Sequence, residues 1–101
     1  MGLTTDRNDE CLNVTEESGM QRCYLVLSDE ELAKGFVRPL RQSYRHLVCG
    51  RVTTMALKLC ETYARNPKFY GGTFCAPCGA HFPVGEDGEF VWTEDGERVG
   101  S

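Results

Sequence analysis

The sequence predicts a small α+β domain, and three observations carry that prediction. The chain has 101 residues, enough for one domain with a thin core that gains noticeably from a staple. Runs of β-forming residues bounded by turn residues lie near both ends, while "TTMALKLCETYARN" (53–66) has helical spacing between them. Two short turns, "HLVCG" (46–50) and "CAPCG" (75–79), flank that helix with the same arrangement of ligand-capable residues.

Taken in order, "MGLTTDRNDE" packs poorly, so residues 1–10 are expected to be disordered. "CLNV" and "MQRCYLVL" are β-rich and separated by "TEESG", which predicts a short hairpin over 11–27. Ser28 precedes "DEELAKG", a helix start with acids in its first turn and Gly35 as its stop. Pro39 blocks a central strand in "FVRPLRQSYRHLV" (36–48), and the remainder, 41–48, reads as a strand. In the main helix Met55, Leu59 and Tyr63 recur every four residues, Thr53 or Thr54 can cap the start, and Asn66-Pro67 ends it.

The tail "HFPVGEDGEFVWTEDGERVG" contains "EDGE" twice, and each Asp-Gly between apolar runs favours a tight turn. A three-stranded meander over about 81–99 follows, with Phe82, Phe90 and Trp92 as its apolar content. The whole chain, 1–101, is read as a single domain whose core is 36–99.

The net charge of −4 conceals an asymmetry. Residues 1–31 carry eight acids and two bases, 32–85 carry eight bases and one acid, and 86–101 carry six acids and one base. A basic centre between acidic ends either neutralises itself or meets an anionic partner. The second case predicts a nucleic-acid-binding surface of Arg38, Arg41, Arg45, Arg51 and Lys58, with Tyr44 or Tyr70 as stacking candidates and core packing as their commoner role.

No apolar run approaches the roughly 20 residues of a membrane span, and no secretory leader pattern opens the chain. The expectation is a cytoplasmic protein with reduced thiols and no membrane partner, in which Cys60 is a core thiol and Cys11 and Cys23, on opposite hairpin arms where they could face each other, are free by default.

Six cysteines and two histidines remain to be placed. Each of the matched turns has a ligand-capable residue, two spacers, a cysteine and a glycine. Such a turn aims two side chains at one ion, and the glycine permits positive φ without a Cβ clash. Two turns supply His46, Cys49, Cys75 and Cys78, a complete tetrahedral shell for structural zinc. His81, three residues past Cys78, is the alternative fourth ligand; His46 is preferred because it pairs the turns. A redox dithiol at Cys75 and Cys78 needs a following helix, which Gly79, Phe82 and Pro83 argue against.

The paired turns resemble the zinc knuckles of zinc-ribbon and treble-clef proteins, which implies structural zinc on these four residues. The resemblance covers 46–50 and 75–79 well and the intervening helix loosely, since common ribbons place strands between their knuckles. From "GFVRPLRQSYRH" onward the chain also looks like a type of small protein encoded by phages and prophages, a likeness that brings no activity with it.

Catalysis is not expected. Four protein ligands leave no open metal position for water, "YGGT" lacks the lysine and spacing of a phosphate loop, and no small-molecule substrate is implied. Three functions remain: a zinc-structured nucleic-acid-binding module, which leads; a phage-type factor that binds a host protein machine, its acidic ends mimicking nucleic acid; or a purely structural component of a larger assembly.

Overall fold

The computed structural model describes residues 2–101 and has the α+β character that the sequence predicts. Its centre is β3 (Ser43–His46), in which alternation turns Tyr44 and His46 inward and leaves Arg45 exposed. Antiparallel β4 (Val52–Thr54) lies on one side of it and β7 (Phe90–Trp92) on the other, giving the order β4-β3-β7. The expected strand over 41–48 is shorter because the chain turns at Leu47, whose N–H goes to the Glu89 carbonyl.

The main helix, α2, spans Leu57–Arg65 and begins later than expected. Thr53 and Thr54 do not cap it. They complete a β-branched triplet with Val52 that pairs with Ser43–Arg45, and Ser43 Oγ and Thr54 Oγ1 bond across the strands at 3.0 Å. Ala56 occupies the N-cap without a side-chain hydrogen bond. Leu59, Cys60, Tyr63 and Ala64 bury the inner face of α2. Thr62 is fully buried, yet its hydroxyl donates to the Lys58 carbonyl and accepts the Leu27 N–H, so no polar group there is orphaned.

The N-terminal hairpin is present in shortened form, closed by Glu16 N–H to Met20 O at 2.7 Å and Arg22 N–H to Val14 O at 2.8 Å. "ECLN" (10–13) is a 3-10 turn capped by Asp9, which accepts the Cys11 N–H. That turn brings Cys11 onto β2 (Cys23–Leu25), and the two cysteines form a disulfide, correcting the expectation that both are free. Their separation of 12 residues closes a loop for which a cross-link contributes about 3 kcal/mol. Residues 2–4 of the tail expected to pack poorly pair in parallel with β2 as β1 (Gly2–Thr4), although Gly2 and Leu3 remain exposed. The short helix α1 (Asp29–Leu32) is as the sequence predicts: Ser28 Oγ accepts the Glu31 N–H, and Gly35 leaves with φ of 100°.

The C-terminal meander holds in outline, with one exchange of partners. β6 (Ala80–Pro83) forms a hairpin with β5 (Gly72–Cys75) instead of pairing with β7. The first Asp-Gly turn carries the chain from that hairpin across to β3. The second returns it along β7, with Trp92 N–H to Glu97 O at 2.8 Å and Val99 N–H to Phe90 O at 3.1 Å. This return fully buries Val99 beside Phe90 and Trp92.

Tyr44 meets Phe90 and Trp92 edge-on at 5.3 and 6.2 Å, and Tyr63 meets Tyr70 and Trp92. Tyr44 is therefore core, and Tyr70 packs against the core. Burial raises the hydroxyls of all four tyrosines, Tyr24, Tyr44, Tyr63 and Tyr70, above the ordinary value, that of Tyr44 to about 12. Their neutral forms are thus favoured in the folded state, and the associated stability is intact below about pH 10 and is lost as pH rises further. Absorbance at 295 nm is expected to show no tyrosinate until the chain unfolds in alkali; a normal titration near pH 10 would contradict these burials.

Candidate metal centre

The two turns are built alike. In the first, Gly50 N–H returns to the His46 carbonyl at 2.7 Å and Gly50 takes φ of 74°. In the second, Gly79 N–H returns to the Cys75 carbonyl at 2.9 Å and Gly79 takes φ of 66°. Only a residue without Cβ adopts this conformation freely, so each glycine closes its turn after the second ligand. β3 ends at His46 and β5 ends at Cys75, so the two hairpin sheets deliver their turns to one place.

There His46, Cys49, Cys75 and Cys78 converge, with one ligand atom from each within 4.8 Å of all the others. Cys49 Sγ lies 3.6 Å from Cys75 Sγ, and Cys78 Sγ lies 3.6 Å from His46 Nδ1. A tetrahedron with metal–sulfur bonds of about 2.3 Å and a metal–nitrogen bond of about 2.0 Å has sulfur–sulfur edges of about 3.8 Å and nitrogen–sulfur edges of about 3.5 Å. The observed spacings match those edges, and the four residues fit one metal ion. His46 and Cys75 are buried, while Cys49 and Cys78 reach the surface.

The charges of the cluster support the same use. The Arg51 backbone N–H beside Cys49 lowers that thiol to about 7, with further help from Cys75 and His46 against the cost of burial. Cys78 goes the other way, to about 11, through Cys75 first, then burial and Cys49. Close thiols cannot all ionise together without a cation among them. Burial works against the charged form of His46, but Glu89 and Cys49 outweigh it and raise the imidazole.

Glu89 is the functional residue that sequence reasoning missed. Its Oε1 lies 2.8 Å from His46 Nε2, on the side of the ring away from the sulfurs. Nδ1 faces the sulfurs, so on metal binding it would be the ligand atom while Nε2–H donates to Glu89, an arrangement that would fix the tautomer and strengthen the ligand. Phe82 and Phe90 hold the ring between them, at centroid distances of 4.5 and 4.7 Å. Residues 86–89 read as turn chemistry, and only the cross-strand pairing of His46 with Phe90 brings Glu89 alongside. Glu89→Gln is expected to weaken metal binding about tenfold to a hundredfold while leaving the far-ultraviolet circular dichroism unchanged. Competition with a chromophoric chelator measures it.

The reserve ligand, His81, is elsewhere. Its Nε2 pairs with the Tyr24 hydroxyl at 2.8 Å, its ring lies near Phe74, and burial lowers its pKa. Cys60 is a buried thiol that donates to the Met55 and Ala56 carbonyls, and burial raises it to about 12.

The five basic residues proposed for nucleic acid do not form one surface. Arg41 is only 4% exposed, stacks over Trp92 at 5.0 Å, and bonds Asp95 and Glu97 at 3.0 and 2.8 Å. Lys58 pairs with Asp29, and Arg65 is near Glu31. Acids from both ends thus neutralise part of the basic centre, the first of the two charge readings. Arg38 bonds carbonyl oxygens of Val37 and Ser101, while Arg45 and Arg51 are exposed with no ion pair among the described residues.

No helix among the described residues is long and apolar enough to cross a membrane. No protein-family model matches the chain, and no curated protein or solved structure matches it either.

Proposed function

We propose that the chain is a structural-zinc module that binds an acidic protein surface through its first knuckle. Three thiolates and one imidazole in tetrahedral array suit zinc, whereas oxygen-rich octahedral sites suit magnesium or calcium. Four protein ligands close the shell, so the ion holds the fold together and activates no water.

The observation that carries the binding reading is the exposure of apolar side chains at that knuckle. Leu47, Val48 and Val52 are 47%, 75% and 48% exposed, an unusual use of three large hydrophobic residues within six positions. Arg45 lies opposite Val52 across the strands, on the face away from the core, and Arg51 flanks the turn. An apolar tip bordered by unpaired arginines suits a protein partner with an apolar recess and acidic rim.

The leading sequence expectation, nucleic acid, keeps Arg38, Arg45 and Arg51 after Arg41 and Lys58 are withdrawn into ion pairs. Fluorescence anisotropy with single-stranded and duplex oligonucleotides at low salt separates the readings. No saturable binding is expected. Binding to duplex with a log–log salt slope of about −3, as three phosphate contacts give, would return the function to nucleic acid. Native mass spectrometry is expected to show one zinc ion per chain.

A further inference from the structure

We propose that the protein binds a neutral, single-ring aromatic molecule, of benzene or phenol size, in the cavity between its two hairpin sheets. The cavity is about 90 Å³ and lies where β4, the start of α2 and β5 meet. It opens to solvent on one side, so a ligand can enter without unfolding the core. An open recess with apolar walls is where a small ring can bury its surface.

Its lining defines that occupant's chemistry. Tyr44, Tyr63, Tyr70 and Phe74 supply aromatic walls, with Met55 and Leu59 as aliphatic surface. No charged residue lines the cavity, which leaves an anion without a counter-charge and a metal without a ligand set. The hydroxyls are largely committed elsewhere: Tyr44 donates to the Phe74 carbonyl and Tyr70 to the Leu25 carbonyl. Beyond the Tyr63 hydroxyl and Thr73, water in the recess finds few free partners, whereas an apolar ring needs none. Thr73 Oγ1, 3.4 Å from the Tyr44 hydroxyl, offers one weakly engaged polar group, enough for a single ligand hydroxyl. Half-buried Met20 is also in the lining, and its unbranched thioether chain adjusts readily around a ring.

The walls come from strands that end in the metal cluster, β3 through Tyr44 and β5 through Phe74. The site is nevertheless separate from the knuckle surface and does not depend on what that surface binds.

The test is a titration of the zinc-loaded full chain with benzene and with phenol, followed by ¹H–¹⁵N correlation spectra. Saturable shifts are expected at Thr53–Ala56 and Gly72–Phe74, with the rest of the spectrum still. Leu59→Phe and Ala56→Leu fill the cavity from two sides, and each is expected to weaken binding about tenfold or more, the discrimination that added carbon atoms produce in an apolar pocket. If Leu59→Phe loses its dispersed spectrum, Ala56→Leu, at a half-buried position outside the helix interior, decides alone. Shifts that stay linear in ligand, that scatter over the surface, or that persist unweakened in a folded filled variant overturn the proposal.

Discussion

Chelation of the metal, or Cys75→Ser, is expected to cost the chain its cooperative fold. The three-stranded sheet and the β5–β6 hairpin share no strand-to-strand ladder, and the four ligands sit where their turns meet. Structural zinc in small domains contributes about 10 to 16 kcal/mol of apparent binding free energy. Whole domains retain only about 5 to 15 kcal/mol of net stability. On the proposed reading, a centre of that strength in a core this thin would decide whether the fold exists.

Cys75 is the most severe single site because it is fully buried and ends β5, beside the Phe74 carbonyl that holds the Tyr44 hydroxyl. Circular dichroism and native mass spectrometry are expected to show zinc and cooperative melting lost together in Cys75→Ser and His46→Ala. His81→Ala is expected to keep the zinc, since His81 faces Tyr24 and not the cluster. The same centre should weaken in acid. Metal holds the thiolate and neutral imidazole forms, so protons compete with it increasingly as pH falls. A metal-free chain that melts at the same temperature as the loaded one would remove zinc from the account.

The parts of this fold that were legible in the sequence are those fixed within a few residues. Ser28 and Gly35 delimit α1 through one side-chain bond and one positive φ, and both residue types announce themselves. The two cysteine-bearing turns are legible for the same reason: ligand-capable residue, spacers and glycine all lie in five residues, and the preference for His46 follows from the symmetry between the turns. Thr53 and Thr54 show where local reading fails. Either can cap a helix or extend a strand, and the availability of Ser43 and Tyr44 as partners decides it. The exchange of β6 for β3 as the neighbour of β7, the reach of Glu89 to His46 over 43 residues, and the burial of Arg41 beneath Asp95 and Glu97 all depend on long-range register. Composition exposed the charge asymmetry but could not choose between self-neutralisation and an anionic partner.

Gly19→Ala is expected to be the most damaging substitution outside the ligands. Gly19 lies at the tip of the N-terminal hairpin with φ of 92°, and a Cβ there would overlap the backbone carbonyl of Gly79 in the second cysteine turn. Both partners are backbone, so no side chain can rotate away. The hairpin must lift or the turn must shift. Gly35→Ala is the internal control, since its φ of 100° is equally unfavourable but a Cβ there meets nothing within 4 Å. The control is expected to lose about 1 to 2 kcal/mol from the left-handed conformation alone. Gly19→Ala adds about 1 to 3 kcal/mol of overpacking to the same conformational cost. Denaturant unfolding of the zinc-loaded variants measures that difference. Because the clash falls on the turn of Cys75 and Cys78, Gly19→Ala is also expected to release zinc to a chelator faster than Gly35→Ala does. Equal stabilities and equal release rates would mean that the hairpin does not rest on the turn, and the link between the N-terminal segment and the metal centre would fail with it.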